Sequence, residues 1–113
     1  MLSQTYDNNE YEMLAKIEVT TSLMVEHCDD SNIILTYVPL LEYDTHVFQT
    51  YTKYTPNNSE LSTIADILRT DVDQFKKQYF DGKATSTYCK IKTKLFLNKI
   101  HSALEASAGK IRN

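Results

Sequence analysis

The sequence predicts an α+β domain: a small antiparallel sheet of about three strands in residues 15–55, packed against a helical half of about three helices in residues 59–108. Three observations carry this expectation. The first half holds runs of β-branched and aromatic residues with period-2 alternation, Pro56-Asn57-Asn58 interrupts that pattern, and beyond it apolar residues recur at helical spacing.

The first strand is expected from Ala15 to Val25, where Ile17, Val19, Leu23 and Val25 alternate with Lys16, Glu18, Thr20, Ser22 and Met24. A helix is the competing reading, because Leu14, Ile17, Thr21, Met24, Val25 and Cys28 share one helical face. The β-branched content favours the strand. Asp29, Asp30, Ser31 and Asn32 then supply turn-stabilising side chains, so Glu26–Asn32 reads as a hairpin connection into a second strand, Ile33–Leu41. Pro39 cannot donate to a ladder and places that strand at an edge or bends it. A third strand is expected from His46 to Tyr54.

In the second half, Asn58 or Ser59 caps a helix with Leu61, Ile64, Ala65 and Leu68 on its buried face. Asp71 caps another, carrying Val72, Phe75, Tyr79 and Phe80 and ended by Gly82. After Ser86, the residues Cys89, Thr93, Phe96, Leu97, Ile100, Ala103, Leu104 and Ser107 line one face of a long amphipathic helix ending near Gly109. Tyr88, Ile91 and Leu95 lie on its other side, and residues 87–95 also alternate like a strand; the helix is favoured.

A chain of 113 residues, 42% hydrophobic and 24% charged, suits one domain spanning 1–113 and neither disorder nor a fibrous repeat. Its apolar runs are too short to span a bilayer, and the polar start MLSQTYDNNEYE is unlike a signal peptide. No membrane role and a cytoplasmic location are expected, with residues 1–10 loosely held. Cys28 and Cys89 lack metal-type spacing and read as reduced thiols, a single bridge being the alternative. Few Gly and Pro with abundant Asn, Lys, Ile, Tyr and Thr is the composition of AT-rich coding sequence, which points to a virus, a plasmid or an AT-rich bacterium, a phage or other mobile element among them.

Charge is uneven. Residues 1–56 carry two bases against nine acids, −7, whereas residues 57–113 carry ten bases against six acids, +4. The stretch Ser59–Lys83, two short helices about three residues apart, resembles the helix-turn-helix of phage-repressor-like DNA-binding proteins. The resemblance implies that Asp73, Gln74, Lys77 and Gln78 face base edges, with Lys76, Lys77, Lys83 and Lys90 on phosphates. Arg69 stands where those proteins usually have Gly.

Tyr37, Tyr43, Tyr51 and Tyr54 offer stiff amphipathic contact area in the acidic half, and the stripe Tyr88, Ile91, Leu95 offers a second apolar surface for a partner protein or a homodimer. His27-Cys28-Asp29-Asp30 is the sole cluster with metal-ligand chemistry, and it lacks a second pair. Cys89 and His101, twelve residues apart, cannot meet on one helix. With no phosphate-binding Gly loop, nucleophile elbow or carboxylate pair, the chain is expected to be no enzyme and to hold no cofactor or metal. The function expected is a small regulator or inhibitor that binds another protein, on a complex that handles nucleic acid; a DNA-binding regulator is the alternative.

Overall fold

Three of the four helix starts are made by single side chains. Asp7 Oδ1 accepts from the backbone N–H groups of Asn9 and Glu10 at 2.9 and 3.2 Å, and Asp30 Oδ1 from those of Asn32 and Ile33 at 3.0 and 3.2 Å. Thr85 Oγ1 accepts from Tyr88 N–H at 3.0 Å. Each satisfies donors that the first turn leaves unpaired.

In the computed structural model, which describes residues 5–110, these caps open α1 (Asn8–Glu26), α2 (Ser31–Lys53) and α4 (Ser86–Ala108), with α3 (Ser59–Phe80) between the last two. Gly82, at φ +69°, ends α3 in the left-handed conformation, and Lys83 N–H donates back to the Gln78 carbonyl at 2.9 Å. Asn57, at φ 57°, makes the turn between α2 and α3.

The protein is therefore all-α, and the expected α+β architecture is wrong: no strand occurs among the described residues. The segment 15–25 belongs to α1, and the two strands expected at 33–41 and 46–54 are one helix, α2, with Pro39 inside it. Tertiary burial overrode local propensity. The residues buried on α1 are Glu10, Leu14, Ile17, Thr21 and Met24, a helical face, while Val19 and Leu23 of the alternating set are left 55% and 38% exposed. β-branched threonines fit because their hydroxyls turn back onto the helix. Thr21, Thr45 and Thr93 donate to the carbonyls of Ile17, Leu41 and Cys89 at 2.7, 2.8 and 2.6 Å, so all three are buried without an unpaired polar atom.

The helix-turn-helix expectation fails for the same reason. Arg69, Thr70 and Asp71 continue α3 without a turn, and Asp71 pairs with Lys99 of α4 instead of capping a helix. The loosely held start expected for residues 1–10 falls partly outside the described residues; from Asn8 the chain is helical and Glu10 is fully buried.

Short connections make sequential helices antiparallel, and each packs on its neighbours in a closed ring: α1 on α2, α2 on α3, α3 on α4 and α4 on α1. One hydrophobic core runs the length of this 47 × 21 × 18 Å bundle, with Leu14, Ile17, Met24, Ile34, Phe48, Leu61, Leu68 and Ile100 fully buried.

The α1–α4 seam is fastened at both ends. At one end Cys28, just after α1, forms a disulfide with Cys89 in the first turn of α4, which corrects the expectation of reduced thiols. Beside it, Asp29 accepts from the Ser86 hydroxyl and pairs with Lys90 at 3.4 Å; these two contacts hold its carboxyl below the usual value.

At the other end the buried Glu10 carboxylate accepts from Asn58 Nδ2 (2.7 Å), Ser107 Oγ (2.7 Å) and Lys110 Nζ (2.9 and 2.8 Å). Lys110 also donates to Asn58 Oδ1 at 2.8 Å. This explains why Asn58, at the N-cap position of α3, makes no side-chain cap bond: its amide is committed to the ion pair. A buried pair is tolerated only when its remaining lone pairs and protons are bonded, and here they are.

Candidate functional site

The α3–α4 seam is the least closely packed of the four, and a cavity opens there. Its origin lies in the spacing of α4. Cys89, Thr93, Phe96, Ile100, Ala103 and Ser107 face the core. Tyr88, Lys92, Leu95 and Lys99 form the adjoining line, which meets α3.

The cavity has a volume of about 80 Å³. All four helices line it: Thr21 and Met24 from α1, Leu41 from α2, Val72 and Phe75 from α3, Thr93 and Phe96 from α4. Its mouth is bordered by Asp71, Gln74, Tyr88, Lys92, Leu95 and Lys99. Tyr88 stacks on Phe75 with centroids 5.9 Å apart and planes 19° from parallel, and Lys92 Nζ lies 5.9 Å from the Tyr88 ring centroid. Burial raises the Tyr88 phenol above its ordinary value, and burial followed by the neighbouring Tyr88 does the same for Tyr79. Lys99 is held by Asp71; Lys92 has no carboxylate in ion-pair range among the described residues.

The structure separates most of the residues that the sequence singled out. Of the stripe on α4, Tyr88 is partly buried at the cavity mouth, whereas Ile91 and Leu95, one turn apart, are 53% and 50% exposed. The four tyrosines of the first half form no single surface. Tyr37 is half-buried and stacked on His27; Tyr51 donates its hydroxyl to Asp7, the α1 cap; Tyr54 is the exposed C-cap of α2 beneath Lys53. Tyr43 is exposed and borders an open depression with Met13, His46, Val47 and Tyr51. Asp7 and then burial keep the Tyr51 phenol above its ordinary value.

The expected nucleic-acid set is dispersed as well. Lys76 is paired with Glu42 of α2 at 2.9 Å and Lys90 with Asp29, while Lys83 lies in the α3–α4 loop. Asp73, Gln74 and Lys77 are exposed and Gln78 half-buried around one turn and more of a continuous helix, with no second helix to present them to a groove. Among the described residues no three His, Cys, Asp or Glu side chains are grouped to hold a metal ion, and Cys28 of the His27–Asp30 cluster is bonded to Cys89. No helix of the described residues is long and apolar enough to cross a membrane.

Sequence reasoning placed Phe75, Phe96 and Val72 on core faces but missed the cavity between them. Thr93 was the available signal: a polar, β-branched residue between Cys89 and Phe96 on the core face of α4. Nothing local announced the Glu10–Lys110 pair, whose members are 100 residues apart. No family model, curated protein or solved structure matches this chain, so its site is defined by its own geometry alone.

Proposed function

We propose that the protein is a small non-enzymatic regulator that acts by binding another protein through the outer face of α4 where it adjoins α3. The observation that carries this reading is the pair Ile91 and Leu95: two large apolar side chains, half exposed and one turn apart, on a helix whose other face is already fully used by the core. Ile67 of α3, 44% exposed, adds a third apolar side chain on the neighbouring helix. Lys92 and Lys94 flank the pair and are in no ion pair among the described residues, so the matching partner surface is an apolar ridge bordered by acidic residues. A bundle clamped at both ends of one seam presents such a face with little ordering cost.

The test is a comparison of captured proteins between the wild type and an Ile91→Asp/Leu95→Asp variant whose melting temperature is unchanged. A partner retained by the wild type and by Lys77→Ala, and lost from the α4 variant, supports the reading. A partner retained equally by both overturns it. Random-sequence duplex DNA is the control, and tight binding that weakens steeply with salt and is lost in Lys77→Ala/Gln78→Ala would replace protein binding with DNA binding.

A further inference from the structure

We infer that the cleft between α3 and α4 is a binding site for a small amphipathic anion, an aliphatic or aromatic body carrying one carboxylate, with the tip of the body in the cavity and the carboxylate on Lys92. The site shares Lys92 and Leu95 with the protein-binding face proposed above, and it is tested on the isolated protein.

The floor decides the body. Met24, Leu41, Val72, Phe75 and Phe96 are apolar. The two hydroxyls among them, Thr21 and Thr93, already donate to the carbonyls of their own helices, and no buried side-chain polar atom is left without a partner among the described residues. Nothing in the floor therefore demands water, and a cavity of that kind takes up apolar matter. Its volume of about 80 Å³ is several times the ~10–15 Å³ that one water needs and about half of a ~150 Å³ cavity that accepts benzene. The tip of an alkyl chain or the edge of a ring enters it, and the rest of the body lies in the open cleft between α3 and α4.

The mouth decides the head group. Asp71 and Lys99 neutralise each other, Gln74 is uncharged, and Lys92 is the remaining charge. Its ammonium sits over the Tyr88 ring, which is itself fixed by stacking on Phe75. That placement keeps a cation at the edge of an apolar opening, the arrangement that attracts a carboxylate and repels an ammonium. All four helices contribute to the floor, so occupancy bears on the whole bundle.

Octanoate, octanol and octylammonium share one chain and differ in the head, and each is titrated into isotope-labelled protein while the amide resonances of Val72, Phe75, Thr93 and Phe96 are followed. The expected result is saturable shifts at those amides with octanoate, weaker ones with octanol and none with octylammonium. Lys92→Gln, a change at an exposed side chain, is expected to weaken octanoate about ten- to a hundredfold, the effect of one charge-assisted hydrogen bond, and to leave octanol unchanged. Val72→Phe fills the cavity and is expected to abolish binding of both. No saturable shift at these amides with octanoate overturns the inference. So do equal affinities for octanoate and octylammonium, or an octanoate affinity that Lys92→Gln does not change.

Discussion

Reduction of Cys28–Cys89 is the sharpest perturbation available, because the bond closes the chain between helices at nearly opposite ends of the sequence. The two residues are 61 positions apart. Confining that loop removes conformational freedom from the unfolded chain worth about 4 kcal/mol at 25 °C. The native state loses little on reduction, since both cysteines are buried, 3% and 0% exposed, and the Met24 carbonyl, 3.4 Å from Cys28 Sγ, can accept a hydrogen bond from the Cys28 thiol. With an unfolding entropy of roughly 2.1 cal/mol/K per residue, a chain of 113 residues is expected to melt about 15–20 °C lower when reduced. The assay is thermal unfolding followed by circular dichroism at 222 nm, with and without a phosphine reductant, alongside Cys28→Ala/Cys89→Ala. That variant is expected to track the reduced wild type. A shift under about 5 °C, or two titratable thiols in protein unfolded without reductant, would refute the reasoning.

Three further outcomes are expected. Glu10→Gln leaves the Lys110 ammonium buried without its counter-charge and is expected to cost about 3–5 kcal/mol, whereas Glu10→Met/Lys110→Met recovers much of that loss; urea unfolding of the singles and the double checks both, and additive losses would count against the pair. Pro39 is exposed inside α2 and offers no N–H to the preceding turn, so Pro39→Ala is expected to stabilise the protein by about 1–3 kcal/mol; a lower melting temperature would mean that the ring serves a packing purpose. The Tyr51 phenol is raised by its hydrogen bond to Asp7 and by burial. A raised folded-state value means that the stability it confers is complete below pH ~10 and lost as pH rises through the folded value. Tyr51→Phe is therefore expected to flatten the fall in stability above pH 10 and to remove one late-ionising phenol from absorbance titration at 295 nm, leaving Tyr79 and Tyr88.

Much of the punctuation of this fold was legible. The breaks at Glu26–Asn32, at Pro56-Asn57-Asn58 and at Gly82 lie at or beside the three connections between helices. Turn chemistry is local, so it survives any change of context. The core face of α4 was legible too, as was the stripe beside it, because a 23-residue helix repeats its pattern often enough to separate one face from another. The candidate site was legible only as that stripe; Lys92 and the cavity floor were not.

What the sequence by itself determined was the place of the three connections between helices and that the second half is helical, although it divided α2 after Leu41 and α3 at Asp71, where both run on unbroken. What it left undecided was the type of element in the first half, since α1 contains both an alternating apolar set and a helical one, and only burial against the neighbouring helices α2 and α4 selects between them. The same holds for the disulfide, for Asn58 leaving its cap to join Glu10 and Lys110, and for the cavity under Tyr88 and Lys92. Each depends on groups brought together from distant parts of the chain, and local propensities, worth at most about 1 kcal/mol per ordinary residue, carry no information about such meetings.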